Sequence, residues 1–367
     1  MSTMSTRKGS ARFVAIAASA LVLGLGVAAC GTTSNDDTSG GGETADSGTV
    51  GLLLPESKTS RYEAFDRPYF TDELASICPD CDLEYANADQ DASQQQSQAE
   101  AMLTKGIDVM VLDPVDGAAA EAIVNKAESQ GVPVVSYDRL ASGPVSYYVS
   151  FDNEKVGELQ GQALLDEVGD GASIVMINGS PTDPNAGQFK KGAHSVLDGA
   201  VDIAQEFDTP DWSPDKAQTE MQQAITGIGA DKIDGIYSAN DGMAAGIVAA
   251  QKGAGIGPLP LTGQDAQVDG IQRVLTGDQS MTIYKAIKPE AEAAAAMAVA
   301  LIQGEDYADA TESIDNGTEE VPSQLLEPVV VTKDNVEDTV IKDGFYTVDD
   351  ICTPEYADAC KEAGLTN

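Results

Sequence analysis

From Val50 onward, short apolar runs alternate with stretches whose apolar residues recur every three or four positions. VGLLLP, DLEYANA, VMVLDP, VVSYDR and YYVSFD are the strand-sized runs of the first part, and SIVMING, VDIAQEF, DGIYSAND, LPLTGQD, MTIYK and PVVVTK follow in the second. The segments between them predict helices over Tyr62–Ile77, Ser93–Thr104, Ala118–Gln130 (closed by Gly131), Lys216–Ile228, Met243–Lys252, Val268–Leu275 and Ala291–Gln303, with two more starting at Asn153 and near Asn185. In the helix from Asn153, Val156, Leu159, Ala163, Leu164 and Val168 share one face. Alternation of this kind implies parallel sheets with helices on both faces. The strands are too many for one sheet, so the expected fold class is α/β with two similar, doubly wound, Rossmann-like lobes. No short-period repeat is present.

The first thirty residues stand apart. Arg7, Lys8 and Arg12 precede an Ala/Leu/Val-rich stretch, Phe13–Val27, that is short for a membrane span and ends in small residues. Residues 1–29 therefore read as a signal peptide. Val27-Ala28-Ala29-Cys30 resembles a bacterial lipobox, which makes Cys30 the lipid-carrying first residue of a mature protein held at the outer face of the cell membrane. Residues 30–49, rich in Gly, Ser, Thr and Asp, read as a flexible tether. No other segment is long and apolar enough to span a bilayer.

The chain carries a formal net charge of −39, and loss of the basic leader makes it three units more negative. Such a surface repels phosphate backbones, which argues against nucleic acid as a partner. Beyond Cys30, four cysteines remain, Cys78, Cys81, Cys352 and Cys360. Export makes disulfides plausible, and the local pairing Cys78–Cys81 with Cys352–Cys360 is preferred among three connectivities. The rival is a four-cysteine zinc site, which the seven-residue gap in the second pair suits badly. No metal or cofactor is expected. GAGIG, Gly253–Gly257, follows a predicted helix and so fails the dinucleotide test.

Strand after strand ends in hydrogen-bonding side chains: Asp113, then Asp138-Arg139, Asp152-Asn153, Asn178 with Asp183, Asn240-Asp241, Gln264-Asp265 and Lys285. In open α/β sheets the carboxyl ends of the strands line the ligand crevice. Helix capping and turns account for about half of these residues. They account poorly for Arg139 and Lys285, because cations are disfavoured at helix N-termini. Asp and Asn accept from or donate to paired hydroxyls, and Arg and Lys donate only. Trp212, the sole Trp, and Tyr62 beside Arg61 offer flat apolar faces. Together they suit a neutral polyol better than an anion.

These residues also carry a resemblance. YDRL, YYVSFDNEKVGELQ, GSPTDPNA, SAND, TGQDA, MTIYK and TVIKDGFY, in that order, closely resemble the xylose-binding proteins of bacterial sugar ABC importers. PSQLLEPVVVTKDN is similar to the related multi-sugar binding proteins that accept glucose, galactose and arabinose. The resemblance covers roughly Val50–Tyr346 and implies two lobes joined by three crossing strands, closing about a hinge on a monosaccharide. It implies an N-terminal lobe of 50–152 plus 286–326, a C-terminal lobe of 153–284 plus 327–351 and a tail, 352–367. Crossings are expected near Ser150–Asn153, Tyr284–Ala286 and Leu325–Pro328. Carried over motif by motif, it implies sugar contacts from Arg61, Asp138, Arg139 and Lys285 on one side. Asp183, Asn185, Trp212, Asn240 and Asp265 would hold the other. Tyr62 stands where the family has Trp, Pro184 where it has Asn, and Asp208 where it has a second Trp, which leaves that wall open to question. The implied partners are an aldose, D-xylose first, and the permease and ATPase subunits of an importer, with the binding protein acting as a monomer.

Other classes fit less well. A glycosidase needs two carboxyls of opposite protonation, and Arg139 beside Asp138 should lower its pKa, which is wrong for a general acid. The only His, His194, has no nucleophile motif near it. A sugar-responsive repressor would need a DNA-binding helix pair where the leader and tether lie. A tethered sugar sensor is not separable from an importer component at this level.

Overall fold

The computed structural model describes residues 47–365, so the leader, Cys30 and most of the tether lie outside the described residues. In chain order the first strands are β1 (Thr49–Leu54), β2 (Asp82–Asn87), β3 (Val109–Leu112), β4 (Val134–Tyr137) and β5 (Tyr147–Phe151). They are followed by β6 (Ser173–Asn178), β7 (Asp202–Asp208), β8 (Gly235–Ser238), β9 (Thr282–Tyr284), β10 (Glu312–Asp315), β11 (Glu320–Leu326) and β12 (Val329–Val331). The helices are α1 (Arg67–Ile77), α2 (Ala92–Lys105), α3 (Glu121–Glu128), α4 (Asn153–Val168), α5 (Pro184–Leu197) and α6 (Pro214–Ile228). Then come α7 (Asp241–Gly253), α8 (Val268–Thr276), α9 (Ile287–Gln303), α10 (Val348–Ile351) and α11 (Ala357–Glu362).

The first lobe is a seven-stranded sheet in the order β10-β11-β5-β4-β3-β1-β2, parallel except for the β10–β11 hairpin. Its strands β3 and β4 are buried at every position because both faces are covered. Val50, Leu52 and Leu54 pack toward α1 and α9, while Leu53 of the same strand packs with Met110, Leu112 and residues of α2 and α3 on the other face. Each such fully buried Leu contributes about 1.5–3 kcal/mol.

The second lobe centres on β7-β6-β8, with α4 to α7 packed around it. The predicted strand LPLTGQD joins this sheet to the β12–β9 pair without becoming a regular strand. Only Leu261 makes a ladder bridge, to Ile236. Beyond it the Thr262 hydroxyl takes the ladder's place, accepting from Ser238 N at 2.8 Å and donating to Ser238 O at 2.9 Å. On the other side, Ile283 N donates to Gly263 O and Asp265 N to Ile283 O.

The chain passes between lobes at three places: 151–153, 284–287 and 326–329. The β10–β11 hairpin is not visible in the hydrophobic pattern because it forms a largely exposed edge. The helix expected from Ala118 begins at Glu121, since Asp116 first closes a turn by accepting from Ala118 N and Ala119 N.

Disulfides join Cys78 to Cys81 and Cys352 to Cys360. Residues 352–365, set apart in the sequence as a tail, fold back. Cys360 and Leu365 are buried in a core shared with α8, β9 and β12. That core reaches across to the first lobe, where the Phe65 ring lies 4.3 Å from Phe345 and 5.6 Å from Tyr346.

Candidate functional site

Between the facing carboxyl ends of the two sheets lies a small cavity lined almost wholly by buried side chains. All nine residues named from the sequence line it, Arg61, Asp138, Arg139, Asp183, Asn185, Trp212, Asn240, Asp265 and Lys285. Tyr62 and Gln264 line it too, as do Thr59 and Phe189, which the sequence did not single out.

The first lobe's side of the cavity follows from the end of β4. Asp138 takes a left-handed conformation, φ 55°, a region where Asp is less penalised than most residues. That bend turns the strand's charged pair into the cleft instead of along the sheet. Three donors hold it, since the Asp138 carbonyl accepts from Ser150 Oγ at 2.6 Å, Tyr148 Oη at 3.1 Å and Asn185 Nδ2 at 3.1 Å. The last comes from the second lobe. Opposite, the Arg61 guanidinium meets three carboxylates: Asp66 at 2.6 Å, Glu290 at 2.6 Å and Asp138 at 3.2 Å. All four groups are buried. Asp66 and Glu290 escaped the sequence reading because each lies mid-helix or in a helical turn, with nothing local to mark it.

Burial alone would raise the Asp138 carboxyl, but Arg61, then Lys285 and Arg139, outweigh it and hold it at about 2. Burial dominates at Glu290, which lies well above the ordinary carboxylate range despite Arg61. Asp113, buried behind Arg139 at 3.6 Å, is raised for the same reason. Because the folded-state pKa of Asp138 is depressed from 3.8, its contribution is complete above about pH 4 and vanishes as pH falls through about 2. The stability difference between wild type and Asp138→Asn, about 2 kcal/mol by linkage, should therefore be constant from neutral pH down to about 4 and shrink below it. Urea melts across that range check this.

The second lobe answers with Asp183, which caps α5 by accepting from Asn185 N at 2.9 Å. Its other oxygen accepts from Trp212 Nε1 at 3.0 Å and pairs with Arg139 Nε across the cleft at 2.8 Å. Trp212 is buried, with φ 53°. Its ring lies flat over Gly179, where a Cβ would stand 2.0–2.4 Å from three ring carbons, so only glycine fits there. Phe189 meets Trp212 edge-on at 6.3 Å and supplies the aromatic wall that the sequence left open. Asp208, at the position of the missing Trp, points outward to Lys190. Asn240 caps α7 through its Oδ1, leaving its amide nitrogen for the cavity. Lys285, at the second crossing, sits 3.4 Å from Asp265 and 5.6 Å from the ring centres of both Phe151 and Phe189.

The result is a site of fixed donors and acceptors on buried side chains, flanked by Tyr62, Phe189 and Trp212. It suits a small neutral molecule with several hydroxyls, each able to donate and accept. Asp138 is tied to the Arg61 guanidinium and held low, which is the wrong preparation for proton transfer to a leaving group. The bonds across the cleft, with Gly117 N donating to Thr182 O at 3.2 Å, make this the closed arrangement.

Residues 50–306 match the model of the periplasmic binding protein domain. The chain is 37% identical to the D-xylose-binding periplasmic protein of Escherichia coli K12 over 305 residues, covering 81% of this chain and 90% of that protein. It is 35% identical to the multiple sugar-binding periplasmic receptor of Rhizobium radiobacter, covering 84% and 93%. Among solved structures, an ABC transporter solute-binding protein from Clostridium phytofermentans with bound β-D-glucose superposes with a TM-score of 0.77. It is 30% identical and covered over 99% of its length by 83% of this chain. The chain therefore belongs to the periplasmic binding protein family, the sugar-binding components of ABC transporters, which bind their ligands without transforming them.

Proposed function

We propose that this chain is a lipid-anchored receptor that captures an aldose, D-xylose first, outside the cell and hands it to an ABC permease and its ATPase by hinge closure. The observation that carries the reading is the single cavity in which Arg61, Asp138 and Arg139 of one lobe face Asp183, Asn185 and Trp212 of the other. A ligand touching both lobes favours the closed form because it binds that form better, and only such differential affinity shifts the population. The identity to the E. coli xylose-binding protein favours xylose. The 35% identity to a multiple sugar-binding receptor supports a second reading, in which glucose, galactose and arabinose are also taken. Cys30 would carry the lipid and residues 31–49 would give the receptor its reach.

A thermal-shift panel of aldopentoses and aldohexoses on the protein from Thr49 onward, followed by titration calorimetry, tests the reading. A large stabilisation by xylose alone supports the first reading, and comparable shifts with several hexoses support the second. No shift with any monosaccharide removes both.

A further inference from the structure

Resting on the sugar reading of the cavity, we propose that Asp241 and Thr282 are a positioning pair that holds residues 263–267 in the shape that turns Gln264 and Asp265 into the site. Neither residue lines the cavity, and both are fully buried. The loop they hold is strained, because Asp265 and Ala266 are consecutive non-glycine residues in the left-handed region, with φ 88° and 45°. Such a conformation persists only where its surroundings over-determine it.

Here they do. Ala266 N donates to Thr282 Oγ1 at 3.1 Å, and that hydroxyl donates in turn to Asp241 Oδ2 at 2.9 Å. Gln267 N donates to the same oxygen at 2.9 Å, and Asp241 N donates to Gln264 O at 3.0 Å. Asp241 is itself fixed, since Gln279 Nε2 donates to Oδ1 at 2.7 Å and Arg273 donates to its carbonyl at 2.7 Å. Gly263 and Gly270 leave the space the carboxylate occupies, for a Cβ at either would stand 2.1–2.2 Å from one of its oxygens. Burial pushes the Asp241 carboxyl up to about 7, against the pull of Arg273, so the protein carries an unfavourable buried acid at this point.

What the loop delivers is specific. Gln264 donates its amide to Ala239 O at 3.1 Å, which leaves Oε1 as a buried, unpartnered acceptor at the cavity wall. Asp265 is the carboxylate partner of Lys285. If the pair is lost, the loop can relax toward ordinary backbone angles, and both groups move relative to the ligand.

The test compares Thr282→Val, Thr282→Ser and Asp241→Asn with wild type, using the aldose that stabilises wild type most, by calorimetry and Trp212 fluorescence. Thr282→Val keeps the shape but loses the hydroxyl, and is expected to weaken binding about tenfold or more. Thr282→Ser restores the hydroxyl and should stay within about twofold of wild type. Asp241→Asn, which presents an NH2 to groups that are themselves donors, should behave like Thr282→Val. Met221→Ala is the control, a fully buried α6 side chain of the same lobe outside this network. It should lower the melting temperature with affinity unchanged. Wild-type affinity in Thr282→Val and Asp241→Asn overturns the proposal. So does an equal loss in Met221→Ala, which would assign the effect to general destabilisation. A wild type that binds no aldose removes the sugar reading itself, and the positioning role with it.

Discussion

Arg139→Ala should lose a hundredfold to several thousandfold in sugar affinity. Arg139 is the only guanidinium that reaches across the described cleft, pairing with Asp183 at 2.8 Å while also facing Asp113 at 3.6 Å and donating to Tyr62 Oη at 3.2 Å and Pro114 O at 3.3 Å. Removing one partner of a buried pair costs about 3–5 kcal/mol because the other charge is left uncompensated. Here much of that penalty falls on the closed form, since Asp183 can meet water when the lobes part. The closed population therefore drops, and the apparent affinity drops with it. Titration calorimetry gives the affinity, and small-angle scattering with saturating sugar shows whether the lobes still close. An unchanged dissociation constant would rule out this role.

Arg61→Met should act on stability as well as binding, with a loss of about 3–5 kcal/mol in urea unfolding. Its guanidinium is the common partner of Asp66, Glu290 and Asp138, all buried. Glu290→Gln is the informative companion. Burial, with the carboxylates of Asp138 and Asp66 nearby, already favours the neutral form of Glu290. An amide of the same shape should therefore change stability by less than about 1 kcal/mol. A large loss in Glu290→Gln would mean that Glu290 is ionised and that Arg61 balances three negative charges instead of two.

Much of this site is legible in the chain because its chemistry stands at strand ends. Buried apolar runs such as VMVL and VVSY announce their strands, and the polar residue that follows each one then has only a helix cap, a turn or a ligand to serve. Asp138-Arg139, Asn240 and Asp265 stand out that way, and Lys285 because a cation is out of place at a helix N-terminus. Glu290 and Asp66 do not, since a carboxylate on a helix is ordinarily a solvated one and only the tertiary arrangement puts Arg61 against it. Phe189 is hidden for a similar reason, as a helical aromatic reads as core. The β10–β11 hairpin is hidden because an exposed edge needs no alternation, and LPLTGQD reads as a strand because nothing local reveals that Thr262 bonds through its hydroxyl.

The contact of Phe65 with Phe345 and Tyr346 lies outside the cavity yet bridges the lobes. Any unloading that parts the lobes at this contact separates those rings in addition to breaking the grip on the cargo. Part of the work of release is thus written into a patch of greasy surface that no sugar visits, and tight retention and quick hand-over are in tension there whichever monosaccharide is carried.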